Sequence, residues 1–228
     1  MANQVEIGDP PITIAVKRSA RARRYSLRIS SVDGGVSLTV PQRANLDDAL
    51  DFARTKEAWL RGHLDLKPDT VTVGIGACVP IEGQMVTVAT GQGRKTIRSG
   101  DVLQVPVRGA PRRVKAYLQT LARDRLSNAS DRYAARLGRS FSKITLRDTR
   151  SRWGSCTSEG ALMYSWRLVM APPSVLDYVA AHEIAHLVEM NHAPAFWSVV
   201  ESLYPDHRSA RSWLREEGPA LHRYRFDG

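Results

Sequence analysis

Hydrophobic positions in the first 40 residues recur every second residue. Ile12, Ile14 and Val16 share one face, Tyr25, Leu27 and Ile29 another, and Val36, Leu38 and Val40 a third. That period predicts strands. Asp33-Gly34-Gly35 between the last two runs reads as a hairpin turn. From Asn45 the period lengthens. Asn45 is a suitable N-cap for one helix reaching about Leu64, with Leu46, Leu50, Ala53, Trp59, Leu60 and His63 on its inner face. Short strand-like runs return between Val71 and Val107, broken by Gly83, Gly91, Gly93 and Gly100.

Helical spacing then dominates. Arg112 to Leu137 carries apolar residues at helical intervals, and Gly138 is placed to end the helix. Ile144–Leu146 and Ala161–Leu168 read as strands, and Pro172-Pro173 opens a helix containing VLDYVAAHEIAHLVEM. Two further helices are expected near Phe196–Leu203 and Ser209–Glu217, and no internal repeat is visible. The pattern predicts an α+β protein: a β-rich N-terminal unit with one helix over residues 1–108, then a helical domain with a small sheet over residues 109–228, divided at Gly109-Ala110-Pro111.

The helix after Pro173 carries the chemistry. Residues 182–192 read HEIAHLVEMNH. His182 and His186 lie one helical turn apart, so their imidazoles leave the same face and can share one ion. Glu183 is placed to act as general base on a metal-bound water. A catalytic zinc keeps three protein ligands and one open position. His192 is the third candidate, with the helix turning near Met190-Asn191 to bring it round, and Glu189 is either an outer partner or a competing ligand. A bare HExxH arises often by chance. Here the motif sits among Val179, Ala180, Ile184, Ala185, Leu187 and Val188, where uncompensated His and Glu would be costly to bury.

The stretches SRWGSCTSEG, MYSWRLVMAPPSVLDYVAAHEIAHLVEMNHAPAFW and YPDH resemble the YgjP-like metallopeptidases, relatives of the SprT-like and WLM zinc proteases in the gluzincin-like group. KRSARARRYSLRIS, SLTVP and KEAWL extend the resemblance over nearly the whole chain. It implies that residues 109–228 form a zincin-like helical catalytic domain with a small sheet, with one zinc ion on His182, His186 and His192 and with Glu183 catalytic. The family usually has an aromatic residue after YPD, where this chain has His207. The ligand spacing is also similar to that of the metzincins, but Glu189 stands where those enzymes carry Gly.

Arg152, Trp153 and Tyr164 are candidate substrate-binding residues. Arg152 is suited to a carboxylate, a phosphate or a developing oxyanion, and Tyr164 to the same oxyanion. Trp153 and Tyr164 equally suit the core, and Gly154 suits close backbone approach. The strand from Leu162 to Trp166 is a candidate edge for an added peptide strand. Asp177 and Tyr178 are candidates to orient a histidine. Cys156 is not needed as a ligand beside three histidines. Phe196, Trp197 and Trp213 read as core anchors, and His63, His207 and His222 as packing or surface residues.

Composition narrows the function. The chain has 228 residues, two cysteines and a net charge of +10. Two unpatterned cysteines argue against a disulfide framework, and the N-terminus lacks the pattern of a signal peptide, so a cytoplasmic location is expected. No run approaches the roughly 18 apolar residues of a membrane span. The positive balance suits anionic partners. Its densest cluster, Lys17, Arg18, Arg21, Arg23 and Arg24, lacks the signature of a nucleic-acid module, which leaves nucleic acid open. Three functions are therefore carried forward. The first is a zinc metallopeptidase acting on peptide or protein substrates. The second is a metal-dependent nucleoside triphosphate pyrophosphatase with an anionic nucleotide ligand. The third is a nucleic-acid-binding module with structural zinc.

Overall fold

The computed structural model describes residues 3–30, 34–65 and 69–227. The chain forms two compact units, Met1–Asp69 and Thr70–Gly228. It is α+β, as expected.

The first unit carries strands β1 (Asn3–Ile7), β2 (Ile12–Ser19), β3 (Ser26–Ile29) and β4 (Val36–Pro41) in the order β1-β2-β4-β3. β2 and β4 are parallel, and the outer pairs are antiparallel. The alternation read from the sequence is the alternation observed: Ile12, Ile14, Val16, Val36, Leu38 and Val40 are all buried. The β3–β4 connection is closed by Ser30 N–H to Gly35 O at 2.9 Å, with Gly34 at φ 68°. Asp33, the first residue of the expected turn, lies outside the described residues.

The single helix expected from Asn45 to Leu64 is two helices, α1 (Leu46–Thr55) and α2 (Glu57–Asp65). Asn45 does cap α1, its Oδ1 accepting from Asp47 N–H at 3.0 Å. The break has a local cause. The Thr55 hydroxyl bonds back to the Phe52 carbonyl at 2.7 Å, and Lys56 N–H closes onto Ala53 O at 3.0 Å, tightening the turn. The inner face is also narrower than expected. Ala49, Ala53 and Leu60 are buried, whereas Trp59, expected inside, is 43% exposed, its ring 4.6 Å from that of exposed His63 and tilted to it.

The second unit begins with β5 (Val71–Thr72) and a four-stranded sheet of β6 (Cys78–Ile81), β7 (Gln84–Thr90), β8 (Ile97–Ser99) and β9 (Val102–Val105), in the order β6-β7-β9-β8. These strands, expected to group with the N-terminal half up to residue 108, share a core with the C-terminal helices instead. Val79, Ile81, Val86, Val88, Leu103 and Val105 pack in one cluster with the long helix α3 (Ala110–Leu137) and with α4 (Pro173–Ala185). Glu82 N–H also bonds to Val169 O at 2.7 Å, tying the β6–β7 turn to the segment before α4. Gly109 therefore falls inside a compact unit. Gly138 caps α3 as expected, in the left-handed conformation at φ 64°.

A second sheet, β10-β12-β11, supports α4. It joins β10 (Lys143–Arg147), β11 (Gly154–Cys156) and β12 (Ala161–Ser165), with β12 in the centre, parallel to β10 and antiparallel to β11. The expected strand Ala161–Leu168 stops at Ser165, and Trp166–Met170 form a 3-10 turn. That turn buries Arg167, which donates to Leu221 O at 2.9 Å and Tyr224 O at 3.1 Å while holding Asp148 at 2.7 Å. α5 (Pro194–Leu203), α6 (His207–Glu216) and β13 (Tyr224–Arg225), which pairs with β5, complete the unit. Replacing Arg167 with Ala strands two carbonyls and a carboxylate at once. The expected loss is about 2–4 kcal/mol, measurable by denaturant unfolding, against under 1 kcal/mol for exposed Arg215→Ala.

Candidate metal centre

Almost every side of α4 is buried, from Val175 to Ala185. Its polar side chains therefore need specific outlets. Asp177 pairs with Arg132 at 2.9 Å, so it does not orient a histidine. Tyr178 does meet His182, edge-on at 5.8 Å. His182, Glu183 and His186 face one cleft of about 470 Å³, which is also lined by Arg152, Gly154, Cys156, Met190 and His192.

The helix ends earlier than expected, at Ala185 and not at the Met190-Asn191 turn. Leu187 and Val188 N–H groups close tight turns on Ile184 O and Ala185 O, and His186 Nδ1 donates to Glu189 O at 2.9 Å. Asn191 is not left-handed; among the described non-glycine residues only Glu82 has positive φ. Asn191 acts instead through its side chain, whose Oδ1 accepts from Ala193 N–H at 2.9 Å and starts α5. This chain path returns His192 to the helix face. Glu189 takes part through its backbone carbonyl, not as a competing carboxylate.

The donor nitrogens of His182, His186 and His192 lie within 4.8 Å of one another, the group among the described residues able to hold a metal. His182 Nε2 and His192 Nε2 are 3.1 Å apart. Two nitrogens on one tetrahedral zinc at 2.0–2.1 Å would stand about 3.3 Å apart. The bond from His186 Nδ1 to a carbonyl places the proton there and leaves Nε2 with its lone pair free. Burial and the neighbouring imidazoles push His182 down to about 3, and burial also lowers His186, so both rings are neutral donors. Phe196, expected only as a core anchor, lies beneath all three rings, at 4.9, 4.5 and 4.7 Å. No sequence spacing revealed that floor.

Glu183 is 5% exposed, and its Oε2 is buried without a hydrogen-bond partner. Burial pushes its carboxyl up to about 8, opposed only by the charge of Arg152. β11 passes directly over it. A Cβ on Gly154 would stand 2.7 Å from Glu183 Cδ, so only glycine permits this approach. An orphaned carboxylate oxygen, three convergent imidazoles and an open side fit a divalent metal with room for a substrate.

The remaining candidates are divided between cleft and core. Arg152 lines the cleft. Trp153 does not: its ring packs on Gly218 and lies 5.4 Å from the His222 ring. Tyr164 is fully buried, its hydroxyl 3.0 Å from Ser130 Oγ. Both are candidates for substrate contact by sequence, and packing on neighbouring elements takes them away from the cleft. Cys156 lines the cleft as a thiol: burial pushes it up to about 11, and its Sγ donates to Thr157 O. His207 is buried against Trp197 at 5.7 Å.

A site of this kind belongs to metal-dependent hydrolases. The YgjP-like, metallopeptidase domain family matches residues 23–217, and the chain belongs to that family. Membership implies a divalent metal, typically zinc. No curated protein and no solved structure matches the chain.

Gly154→Ala should force the Glu183 carboxylate aside at a cost of about 1–3 kcal/mol, read from thermal melting and from the Glu183 rotamer in a crystal structure of the variant. His222 is held neutral, pushed down to about 4 by burial and by Arg167, against about 6.5 when unfolded. Its contribution is complete above about pH 6.5 and is lost as pH falls toward 4. His222→Gln should therefore flatten the acid side of the stability curve by about 1–2 kcal/mol, allowing for solvent screening.

Proposed function

We propose that this protein is a zinc metallopeptidase, with His182, His186 and His192 holding one zinc ion and Glu183 as general base. The carrying observation is the orphaned Glu183 Oε2 beside three convergent imidazoles in an open cleft. Held there, zinc would supply a Lewis acid, which makes water acidic enough to lose a proton near neutral pH and draws charge from a carbonyl. Glu183 accepts the proton from the attacking water and delivers it to the departing amine. The apolar surroundings that raise its pKa make it a better base than an exposed carboxylate. Arg152 supplies a positive charge toward the carbonyl oxygen as it gains charge.

Substrate orientation rests on the sheet edge. β12, the expected docking edge, is paired on both sides; of the two end strands, β10 and β11, it is β11 that lines the cleft. Ser165 N–H to Trp153 O and Thr157 N–H to Ala161 O fix the hydrogen-bonded pairs, so Gly154 and Cys156 turn their own N–H and C=O groups away from β12. An extended peptide pairs there and lays its scissile carbonyl across Glu183. Among the described residues Arg152 is the one Lys or Arg lining the cleft, and exposed Met190 lines it too, which favours a peptide over a nucleoside triphosphate. A closed structural zinc site needs a fourth ligand, and the His group has only three among the described residues.

Two thiols without a disulfide suit the reducing cytoplasm. No helix among the described residues is long and apolar enough to cross a membrane.

Metal analysis with parallel hydrolysis assays tests the proposal. The wild type should carry about one zinc per chain and cut an unfolded protein. His192→Ala should lose the metal, while Glu183→Gln should keep it and lose at least about 100-fold in rate. A chain that takes up no zinc, or one that cuts only nucleoside triphosphates, overturns the reading.

A further inference from the structure

The first unit has a groove of its own, about 510 Å³, between the outer strand and the helices. Arg24, Tyr25 and Leu27 line it from β3 and its approach; Phe52, Lys56 and Trp59 line it from α1, the break and α2. The helical residues are spaced four and three apart, so they present one face despite the break. Trp59 is the largest exposed apolar side chain of the unit. Leaving it in water is unfavourable unless something covers it.

β3 is the end strand of its sheet. Ser30 bonds to Gly35 across the β3–β4 pair, and antiparallel bonding alternates, so Arg28 and Ser26 also bond inward. Leu27 and Ile29 consequently direct their N–H and C=O groups outward, with no backbone partner among the described residues. An unpaired edge beside a helix face is the geometry into which an extended segment inserts as an added strand.

Charge selects the segment. Arg24 and Lys56 are exposed, lack ion-pair partners among the described residues, and share the groove with no carboxylate. The acids next to Phe52 and Lys56 in sequence are already paired, Asp51 with Arg54 at 2.7 Å and Glu57 with Arg61 at 2.6 Å. We infer that this groove is a second peptide-binding site: an extended segment carrying an acidic side chain adds to β3, seats an apolar residue against Trp59 and Phe52, and pairs its carboxylate with Arg24 and Lys56. Single-stranded nucleic acid fits less well. Residues 1–69 carry 11 Lys and Arg against 9 Asp and Glu, a small net charge for holding a phosphate backbone. Outward backbone groups on alternate residues match a strand, not a nucleotide.

The test is fluorescence anisotropy on the full chain carrying Glu183→Ala, so that binding is read without turnover and regardless of the metal site. The probes are a labelled extended ten-residue peptide alternating apolar and Asp/Glu residues, the same peptide with Lys replacing the acids, and an oligo-dT of equal length. The acidic peptide should saturate and bind at least about tenfold tighter than the Lys peptide. Arg24→Glu with Lys56→Glu should weaken it at least about tenfold, and Leu27→Pro, which removes an outward N–H from an edge strand, should do so with an unchanged melting temperature. Should Leu27→Pro melt early, Trp59→Ala replaces it, with the same loss expected. Equal binding of both peptides, charge reversal without effect, absence of binding, or tighter and steeply salt-dependent oligo-dT binding overturns the inference.

Discussion

The constraint on which the second unit depends is the burial of α4. A helix packed on nearly every side cannot carry an ionisable residue without cost: an unpaired buried carboxylate is disfavoured by several kcal/mol. Asp177 escapes through Arg132, but Glu183 has no such partner. It is tolerated because the cleft opens at this point, because Arg152 lies within electrostatic reach, and because β11 brings a glycine over it. A side chain at residue 154 would fill the space the carboxylate uses. The sheet β10-β12-β11 thus both supports the helix and sets where its carboxylate points.

Much of this was legible because it repeats with a period. The paired histidines one turn apart, the alternating strands of the first unit and the Gly138 cap are local, and local chemistry decides them. What was not legible depends on partners distant in sequence. α4 ends at Ala185 because His186 Nδ1 captures the Glu189 carbonyl, a bond no periodicity announces. β12 is central because β10 pairs with it from the other side, so the peptide edge moves to β11. Trp153 and Tyr164, suggestive beside the motif, are claimed by Gly218 and His222 and by Ser130. Phe196 has the opposite history: it looked structural and proves to touch every imidazole. Trp59 stands outside because the buried line runs Ala49, Ala53 and Leu60, the last two seven residues apart on one face, and Trp59 lies about 100° round from it.

The two four-stranded sheets share one topology, although the sequence shows no repeat. In each, an antiparallel pair precedes a second antiparallel pair, and the second strand lies parallel to the fourth. Each is followed by a helix. The corresponding turns carry positive-φ residues, Gly8 and Gly34 in one, Gly83 and Gly100 in the other. Topology of this kind needs only alternation and well-placed turns, so side-chain identity drifts freely while the arrangement stays. The outcomes differ in what covers the sheets. The second joins the core of α3 and α4, whereas the first keeps a separate core with α1 and α2.

That difference bears on selectivity. On the proposed reading, the β11 edge holds substrate through its main chain, which is the same in every peptide. Backbone pairing supplies affinity with little discrimination, because Gly154 and Cys156 offer N–H and C=O groups to any extended chain. The cleft adds one cation and an exposed Met190, a flexible side chain that adapts to many shapes. A site so built admits extended, unfolded segments broadly and rejects folded ones, whose backbone groups are already paired. Discrimination among unfolded chains then requires contacts away from the reacting carbonyl. Such contacts can restrict which chain is held without altering how Glu183 performs the reaction, and so chemistry and selectivity can change independently.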